Sequence, residues 1–442
     1  MNIYALSSGR GPSGIAIIRI SGKDTLKICK QITKIENIKS KEVNFCKFYD
    51  PKNDNIIDPE SILLWFPGPN SYTGDDLAEL QIHGSNAVIN SLLKVLSEQD
   101  NCRLAEPGEF TKIAFQNDKI DLIKAESIVD LIHSETELQR QQAVKLVQGN
   151  ASNYYNDLRE KLIKSLSYIE AKIDFAEDDL PEKVLKEVYK SIKNIQEDIL
   201  KILEDDKIGE KIRNGFRVSI IGEVNAGKSS LLNLLSKREV AIVSDEEGTT
   251  RDIIETYLNI DGFPVILADT AGIREARNEV EKKGIALALG KSKEADLNII
   301  MIDNSSNKID KKIKELINKD SIVLLNKSDI KSTQKLKFDA DTILVSVKNN
   351  KNIDVLIKKL KQKLSNKFAP NNNALITRER HRSKLNECLK EIDKFLKKDQ
   401  NKDIELAAED LRMATRHLGS IVGKIDVEEI LGTIFNDFCI GK

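Results

Sequence analysis

The sequence predicts a multidomain chain: an α+β N-terminal domain, then a discontinuous all-α domain that an inserted α/β domain interrupts. Three observations carry this reading. Strand-like runs fill the first 118 residues, helical periodicity appears on both sides of residues 212–368, and within those limits short apolar strands alternate with helices. At 442 residues the chain has room for about three domains.

In the first part, Ile15 to Ile20, Val43 to Phe48, Ile62 to Phe66 and Leu80 to Ile82 read as strands, and Asn86 to Leu96 as a helix. Gly9, Gly11 and Gly14 read as a turn. No proline interrupts the stretch between Pro107 and Pro181, where Leu122, Ala125, Ile128, Val129 and Ile132 recur at helical spacing and Val144, Leu158, Leu162, Leu166 and Ile169 continue in kind. Val184, Val188, Ile192, Ile195, Ile199 and Ile202 repeat the pattern. Beyond Pro370 it returns in Leu385, Leu389, Ile392 and Leu396, then in Leu406 to Leu418 and Val427 to Phe438.

Each of these apolar faces must be buried. One helical domain in two halves, 119–211 and 369–442, is the economical solution. The insert, 212–368, reads as strands Arg217 to Ile221, Thr256 to Ile260, Phe263 to Ala268, Leu297 to Asp303, Ile322 to Leu325 and Thr342 to Val345, with a hairpin signal at Asp261-Gly262. Helices between the others predict a mostly parallel, doubly wound sheet.

Four motifs lie in order in this insert: GEVNAGKS at Gly222 to Ser229, GTTRD at Gly248 to Asp252, DTAG at Asp269 to Gly272 and NKSD at Asn326 to Asp329. The first follows a strand and opens a helix, so backbone N–H groups from Asn225, Ala226, Gly227 and Ser230 and the helix N-terminus face a phosphate chain. Lys228 supplies a point charge to the β- and γ-phosphates and Ser229 a hydroxyl to magnesium. Thr250, 21 residues on, is a second magnesium ligand, with Thr249 beside it. Asp269 ends a strand within water-bridged reach of the metal, and Thr270, Ala271 and Gly272 bring backbone N–H to the γ-phosphate. Asp329 selects guanine, because its carboxylate accepts from the ring N–H and the exocyclic amine, a donor pair adenine lacks. Asn326 braces that loop, Lys327 lies along the base, and Ser346, Val347 and Lys348 complete its pocket. The ordered set describes a GTP-hydrolysing domain.

Ile273 stands where many small GTPases carry the Gln that orients the attacking water. Something else must position that water and offset charge. Asn225 is a candidate for the second task, holding a monovalent cation against the phosphates; as a loop residue it also reads as satisfying its own backbone.

GxxNAGKSSLLN, GTTRD, DTAGIRE, the WFPGPNSYTG segment from Trp65, PGEFTKIAFQNDKIDL from Pro107 and the final Cys439-Ile440-Gly441-Lys442 resemble the MnmE (TrmE) family of tRNA-modification GTPases from Arg19 to the last residue. The resemblance implies a folate-binding-like N-terminal domain (1–118) that mediates dimerisation, a helical domain, and a Ras-like P-loop GTPase insert. It further implies a homodimer acting with an FAD-dependent MnmG-type partner to place an aminomethyl or carboxymethylaminomethyl group on carbon 5 of the wobble uridine of certain tRNAs. Arg19, Glu79, Lys119 and Lys442 would contact a formyl-tetrahydrofolate-type ligand, and Cys439 would act in the modification chemistry or order the site. Potassium would sit on Asn225 and on the loop Ser244, Glu246 and Thr249, and Glu281 would orient water. That loop reads SDEEG, with Glu246 and Glu247 where the family is more apolar, and Glu281 taken alone reads as a solvated charge beside Glu279 and Lys282. Arg19 with Glu79 reads, on residue type, as a strand-edge salt bridge.

Composition narrows the alternatives. Sixty-nine Lys and Arg against 70 Asp and Glu leave a net charge of −1, so no global basic footprint marks an RNA partner; a local patch or a second protein must hold the tRNA. Five scattered cysteines and four separated histidines indicate neither a disulfide frame nor a zinc site. No run approaches the roughly 18 apolar residues of a membrane span, and the N-terminal stretch lacks a secretory layout, so the expected location is the cytoplasm. A rival reading, a ribosome-assembly switch GTPase, calls for a basic RNA-binding appendage after the GTPase part; the C-terminal flank here is helical and mixed in charge.

Overall fold

A computed structural model describes residues 1–9, 11–174, 182–223, 225–238, 255–269, 294–306, 309–330, 338–368, 375–398, 403–425, 434, 435, 438 and 441. The chain forms two compact units, Met1–Val129 with Val147–Ile192 and Lys390–Lys442, and Asp130–Leu146 with Lys193–Leu389.

The first unit is built on β1 (Asn2–Leu6), β2 (Ser13–Ser21), β3 (Asn44–Tyr49), β4 (Ile56–Phe66), β5 (Leu77–Gly84) and β6 (Cys102–Leu104), in the spatial order β3-β4-β5-β2-β1-β6. Alternation decides the faces: Ala16, Ile18 and Ile20, with Leu63, Leu80 and Ile82, are buried with Ile28 and Ile32 of α1 (Thr25–Thr33) and Leu92 and Leu96 of α2 (Asn86–Ser97). The intervening positions, among them Arg19 and Glu79, look the other way. The turn expected at Gly9, Gly11 and Gly14 is shorter than the sequence reading. Gly11 has φ 108°, but Gly14 lies within β2, where the register shifts between Ser13 and Ala16.

Helices α3 (Glu109–Gln116), α4 (Leu122–Ile132), α6 (Asn150–Asp174), α7 (Glu182–Leu203), α12 (Glu379–Lys397) and α13 (Ile404–Val422) realise the long periodic stretches, and α13 packs along α6. Ile434, Phe435 and Phe438 bury themselves against Ala114, Leu122, Ala125 and Val129.

The second unit contains β7 (Phe216–Gly222), β8 (Glu255–Ile260), β9 (Phe263–Asp269), β10 (Leu297–Asp303), β11 (Ile322–Asn326) and β12 (Asp341–Leu344), ordered β12-β11-β10-β7-β9-β8. All neighbours are parallel except β8 with β9. That pair is joined by Asp261 (φ 49°) and Gly262 (φ 94°), whose positive angles suit a tight hairpin turn. The inner strands are buried almost continuously, as parallel strands covered on both faces must be. Leu231 and Leu235 of α9 (Lys228–Ser236) and Leu356, Leu360 and Leu364 of α11 (Ile353–Lys367) fill one side of the sheet. Short α10 (Lys311–Glu315) places Ile313 against Ile300 and Val323 on the other.

Helix α5 (Glu137–Val147) belongs with this sheet. Leu138 N–H donates to Gly262 O at 3.3 Å, and the Gln139 and Gln142 amides donate to Arg213 O and Gly209 O, both at 3.1 Å. The acceptors Arg213 and Gly209 lie on α8 (Ile208–Asn214), which leads into β7.

Candidate functional site

The first and last of the four motifs, and the Asp269 that opens the third, lie at the C-terminal edge of the second sheet. Chain connections leave β7 toward β9 on one side and reach β10 on the other, so the loop after β7 opens at the point where strand order reverses. Its glycines are fixed by packing. A Cβ on Gly222 would stand 2.2 Å from Met301 O, and one on Gly227, at φ 105°, would stand 2.4 Å from Asn326 Nδ2. Gly227 caps α9, whose first turn carries Lys228, Ser229 and Ser230. Lys228 Nζ donates to Gly222 O and Glu223 O, both at 2.8 Å, so its ammonium lies over the loop backbone. Ala226 is fully buried, and Asn225 is exposed in the left-handed region at φ 63°.

Asn326 ties this loop to the base pocket. Its Nδ2 donates to Ala226 O at 2.8 Å, its Oδ1 accepts from Val347 N–H at 3.1 Å, and its own carbonyl accepts from Asn304 N–H at 2.9 Å. Lys327, at φ 61°, ion-pairs with Asp303 at the end of β10. Burial pushes the Asp303 carboxyl upward, but Lys327 and Ser305 outweigh it and hold it low. Asp329 accepts from Ser346 Oγ at 2.6 Å, a bond that lowers its carboxyl with help from a backbone N–H, Lys348 and Lys327. Asp329 is exposed, because the chain turns outward after Asn326, so only a base lying on it buries it. Asn225, Gly227, Asn326, Asp329, Val347 and Lys348 line one cleft of about 660 Å³.

Asp269 stands at the end of β9, in register with Ile220. Ser244, Glu246, Thr249, Thr250, Thr270, Ala271, Gly272, Glu281, Cys439 and Lys442 lie outside the described residues. Ser229, exposed in the first turn of α9 beside Lys228, fits a magnesium ligand. Asn225 is among the residues that line the cleft.

A second constellation occupies the first unit. Arg19 and Glu79 are cross-strand neighbours on β2 and β5, in the middle of the sheet and not at an edge, and they pair at 2.7 Å. The Arg19 guanidinium lies 5.6 Å from the Tyr72 ring and 5.8 Å from the Phe110 ring. The Tyr72 hydroxyl meets Thr111 Oγ1 at 2.9 Å. Sequence reasoning overlooked Tyr72 and Phe110, although both stand inside motifs it used. Lys119 is exposed, and its Cε would lie 3.0 Å from a Cβ on Gly74. The C-terminal tail reaches the same region: Gly441 O accepts from Ser7 Oγ at 2.8 Å, and a Cβ on Gly441 (φ 99°) would lie 2.2 Å from Leu6 O, next in β1 to the Ala5 that faces Arg19.

A glycine-bounded phosphate loop at the reversal point of a mostly parallel sheet, joined by one asparagine to an Asp-bearing base loop, defines a P-loop GTPase. A model of the MnmE helical domain matches residues 122–439, and one of the GTP-binding protein TrmE N-terminus matches 2–119. The chain is 56% identical over 452 residues to the tRNA modification GTPase MnmE of Pelagibacter ubique, covering 100% of each. It is 42% identical to that of Rickettsia bellii and 41% to that of Parvibaculum lavamentivorans, in each case over 100% of this chain and 99% of the relative. The chain belongs to the MnmE family of tRNA modification GTPases.

Proposed function

We propose that this protein couples GTP hydrolysis to modification of carbon 5 of the wobble uridine in certain tRNAs, working in the cytoplasm as a homodimer with an FAD-dependent MnmG-type partner. The observation that carries the nucleotide half is the tie from Ala226 through Asn326 to Val347, which fixes the phosphate loop and the Asp329 pocket relative to each other. Asp329, pre-oriented by Ser346, accepts the two guanine donors, and Lys228 exchanges its loop carbonyls for phosphate oxygens. Ser229 and Thr250 hold magnesium, which when bound neutralises phosphate charge. Asn225 with Ser244, Glu246 and Thr249 holds potassium, and Glu281 orients water in place of the missing Gln. G-domain pairing in the dimer activates this arrangement.

The one-carbon half rests on the first unit. Arg19, flanked by Tyr72 and Phe110, offers a charged, planar donor to an anionic pterin-type ligand, and Glu79 holds it in place. Lys119, Cys439 and Lys442 complete that site. The functional division follows 1–118, 119–211, 212–368 and 369–442.

Exchange of Asp329 for Asn tests the base pocket. The variant should lose GTP affinity and gain affinity for xanthosine triphosphate, whose C2 carbonyl accepts where the guanine amine donates. Unchanged GTP affinity would show that Asp329 does not read the base. Mass spectrometry of tRNA nucleosides from a deletion strain tests the modification half.

A further inference from the structure

The protein as a whole is nearly neutral, but one surface is not. In α1 and α2, 21 residues between them, every charged side chain is a lysine: Lys27, Lys30 and Lys94. Lys23 stands in the turn before the Asp24 N-cap and Lys34 at the left-handed C-cap, so the helix itself carries Lys27 and Lys30, three residues apart on one face, with Lys23 just ahead of them. The opposite face of α1 holds the buried Ile28, Cys29 and Ile32, which orients the lysines outward.

Several exposed basic residues on other helices have an acid one turn away, as in Lys161 with Asp157, Lys384 with Glu387, Lys394 with Glu391 and Arg140 with Glu137. On α1 Lys27 and Lys30 stand one turn from each other, an arrangement that repels itself, and the N-cap Asp24 is the acid a turn from Lys27. The ammonium groups of Lys23, Lys27 and Lys30 enter no ion pair or hydrogen bond among the described residues. Asp24 accepts from the Asn2 amide at 3.1 Å and, among the described residues, forms no ion pair with Lys23 or Lys27. Only Lys34 is held, by Asp54 at 2.8 Å and over the Tyr49 ring at 4.3 Å, which gives the stripe a fixed end. The nine residues of α1 rise about 14 Å, enough to set Lys23, Lys27 and Lys30 against two or three neighbouring phosphates of one strand. A row of unpaired point charges on a rigid helix, with no base-reading side chains among them, suits sequence-independent backbone contact.

We infer that Lys23, Lys27 and Lys30 on α1 form a phosphate-docking stripe for the tRNA substrate. The inference rests on the tRNA reading above and assigns a place to the RNA contact that net charge conceals.

The test measures binding of an unmodified tRNA transcript to the full chain between 50 and 200 mM salt, for wild type, for a Lys23→Gln, Lys27→Gln, Lys30→Gln variant and for the corresponding triple Arg variant. Three lost phosphate contacts remove about a 20- to 40-fold salt sensitivity over that range. The Gln variant should therefore bind more weakly at 50 mM salt with a shallower slope, the Arg variant should keep the wild-type slope, and both should keep the wild-type circular dichroism and thermal unfolding, which certifies their folding. If the Gln variant fails that check, the three single Gln variants should each lower the log–log slope by about 0.9. A wild-type slope in folded Gln variants would overturn the stripe while leaving the tRNA reading intact. A wild-type chain that binds no tRNA at 50 mM salt would overturn both, as would binding of anionic lipid vesicles without tRNA.

Discussion

Replacing Asn326 isolates the link between phosphate loop and base pocket. Its side chain is buried and makes two buried bonds, one donated to Ala226 O and one accepted from Val347 N–H. Asn326→Ala leaves both backbone groups without partners, at about 1–3 kcal/mol each, or about 2–6 kcal/mol together. If only about 2 kcal/mol of that falls on the nucleotide-competent arrangement, affinity drops about thirtyfold. Asn326→Asp is the sharper experiment. It keeps the shape and the acceptor for Val347 N–H but turns a carboxylate oxygen toward Ala226 O, so it should be at least as damaging as Ala. Titration with fluorescent GDP, paired with thermal unfolding with and without nucleotide, separates lost binding from lost folding. Wild-type affinity in Asn326→Asp would refute the reasoning, since the Nδ2 bond could then carry no weight.

Three further outcomes are expected. GTP turnover should be faster in potassium than in sodium, and Asn225→Ala should abolish the difference; steady-state phosphate release in the two salts decides it. Gly441→Ala places a methyl group against Leu6 O at a positive φ, so it should loosen the tail and reduce wobble-uridine modification, read by nucleoside mass spectrometry, while sparing GTP hydrolysis. Asp58 is buried, which alone would raise its carboxyl, but the backbone and ring N–H groups of His83, Ser61 and the Glu60 N–H together hold it below the usual range. A depressed folded value stabilises above the unfolded pKa of about 3.9 and loses that contribution as pH falls through the folded one. Asp58→Asn should therefore melt below wild type at neutral pH, with the gap closing in acid; a gap independent of pH would exclude the carboxylate as its source.

The insert was legible because its strands are bounded by turn chemistry and its motifs sit at strand ends: β10 begins and ends where the apolar run Leu297 to Asp303 does. In the first domain β1 and β6 went unread. Cys102–Leu104 is too short to show any period, and Asn2–Leu6 is buried on nearly every residue, so alternation is erased. Helix α5 was legible as a helix but not as a neighbour of the second sheet, because its polar Gln139 and Gln142, not an apolar stripe, make the attachment. At the sites, residue types that act by ligation could be read directly, whereas Tyr72 and Phe110 act by lying beside Arg19, and adjacency of that kind belongs to the folded chain.

The bond from Ser7 to Gly441 spans 434 positions of sequence. Synthesis proceeds from the N-terminus, and domains generally fold in that order, yet here the partner of the first strand's loop is made only after the whole nucleotide-binding unit. Until residues 434–441 emerge, Ala114, Leu122 and Val129 lack the phenyl rings that cover them. A ribosome that stops early thus releases a chain whose nucleotide-binding unit holds all its residues while its first unit shows an uncovered apolar face. The first unit therefore closes only once residues 434–438 have been made, after the whole nucleotide-binding unit.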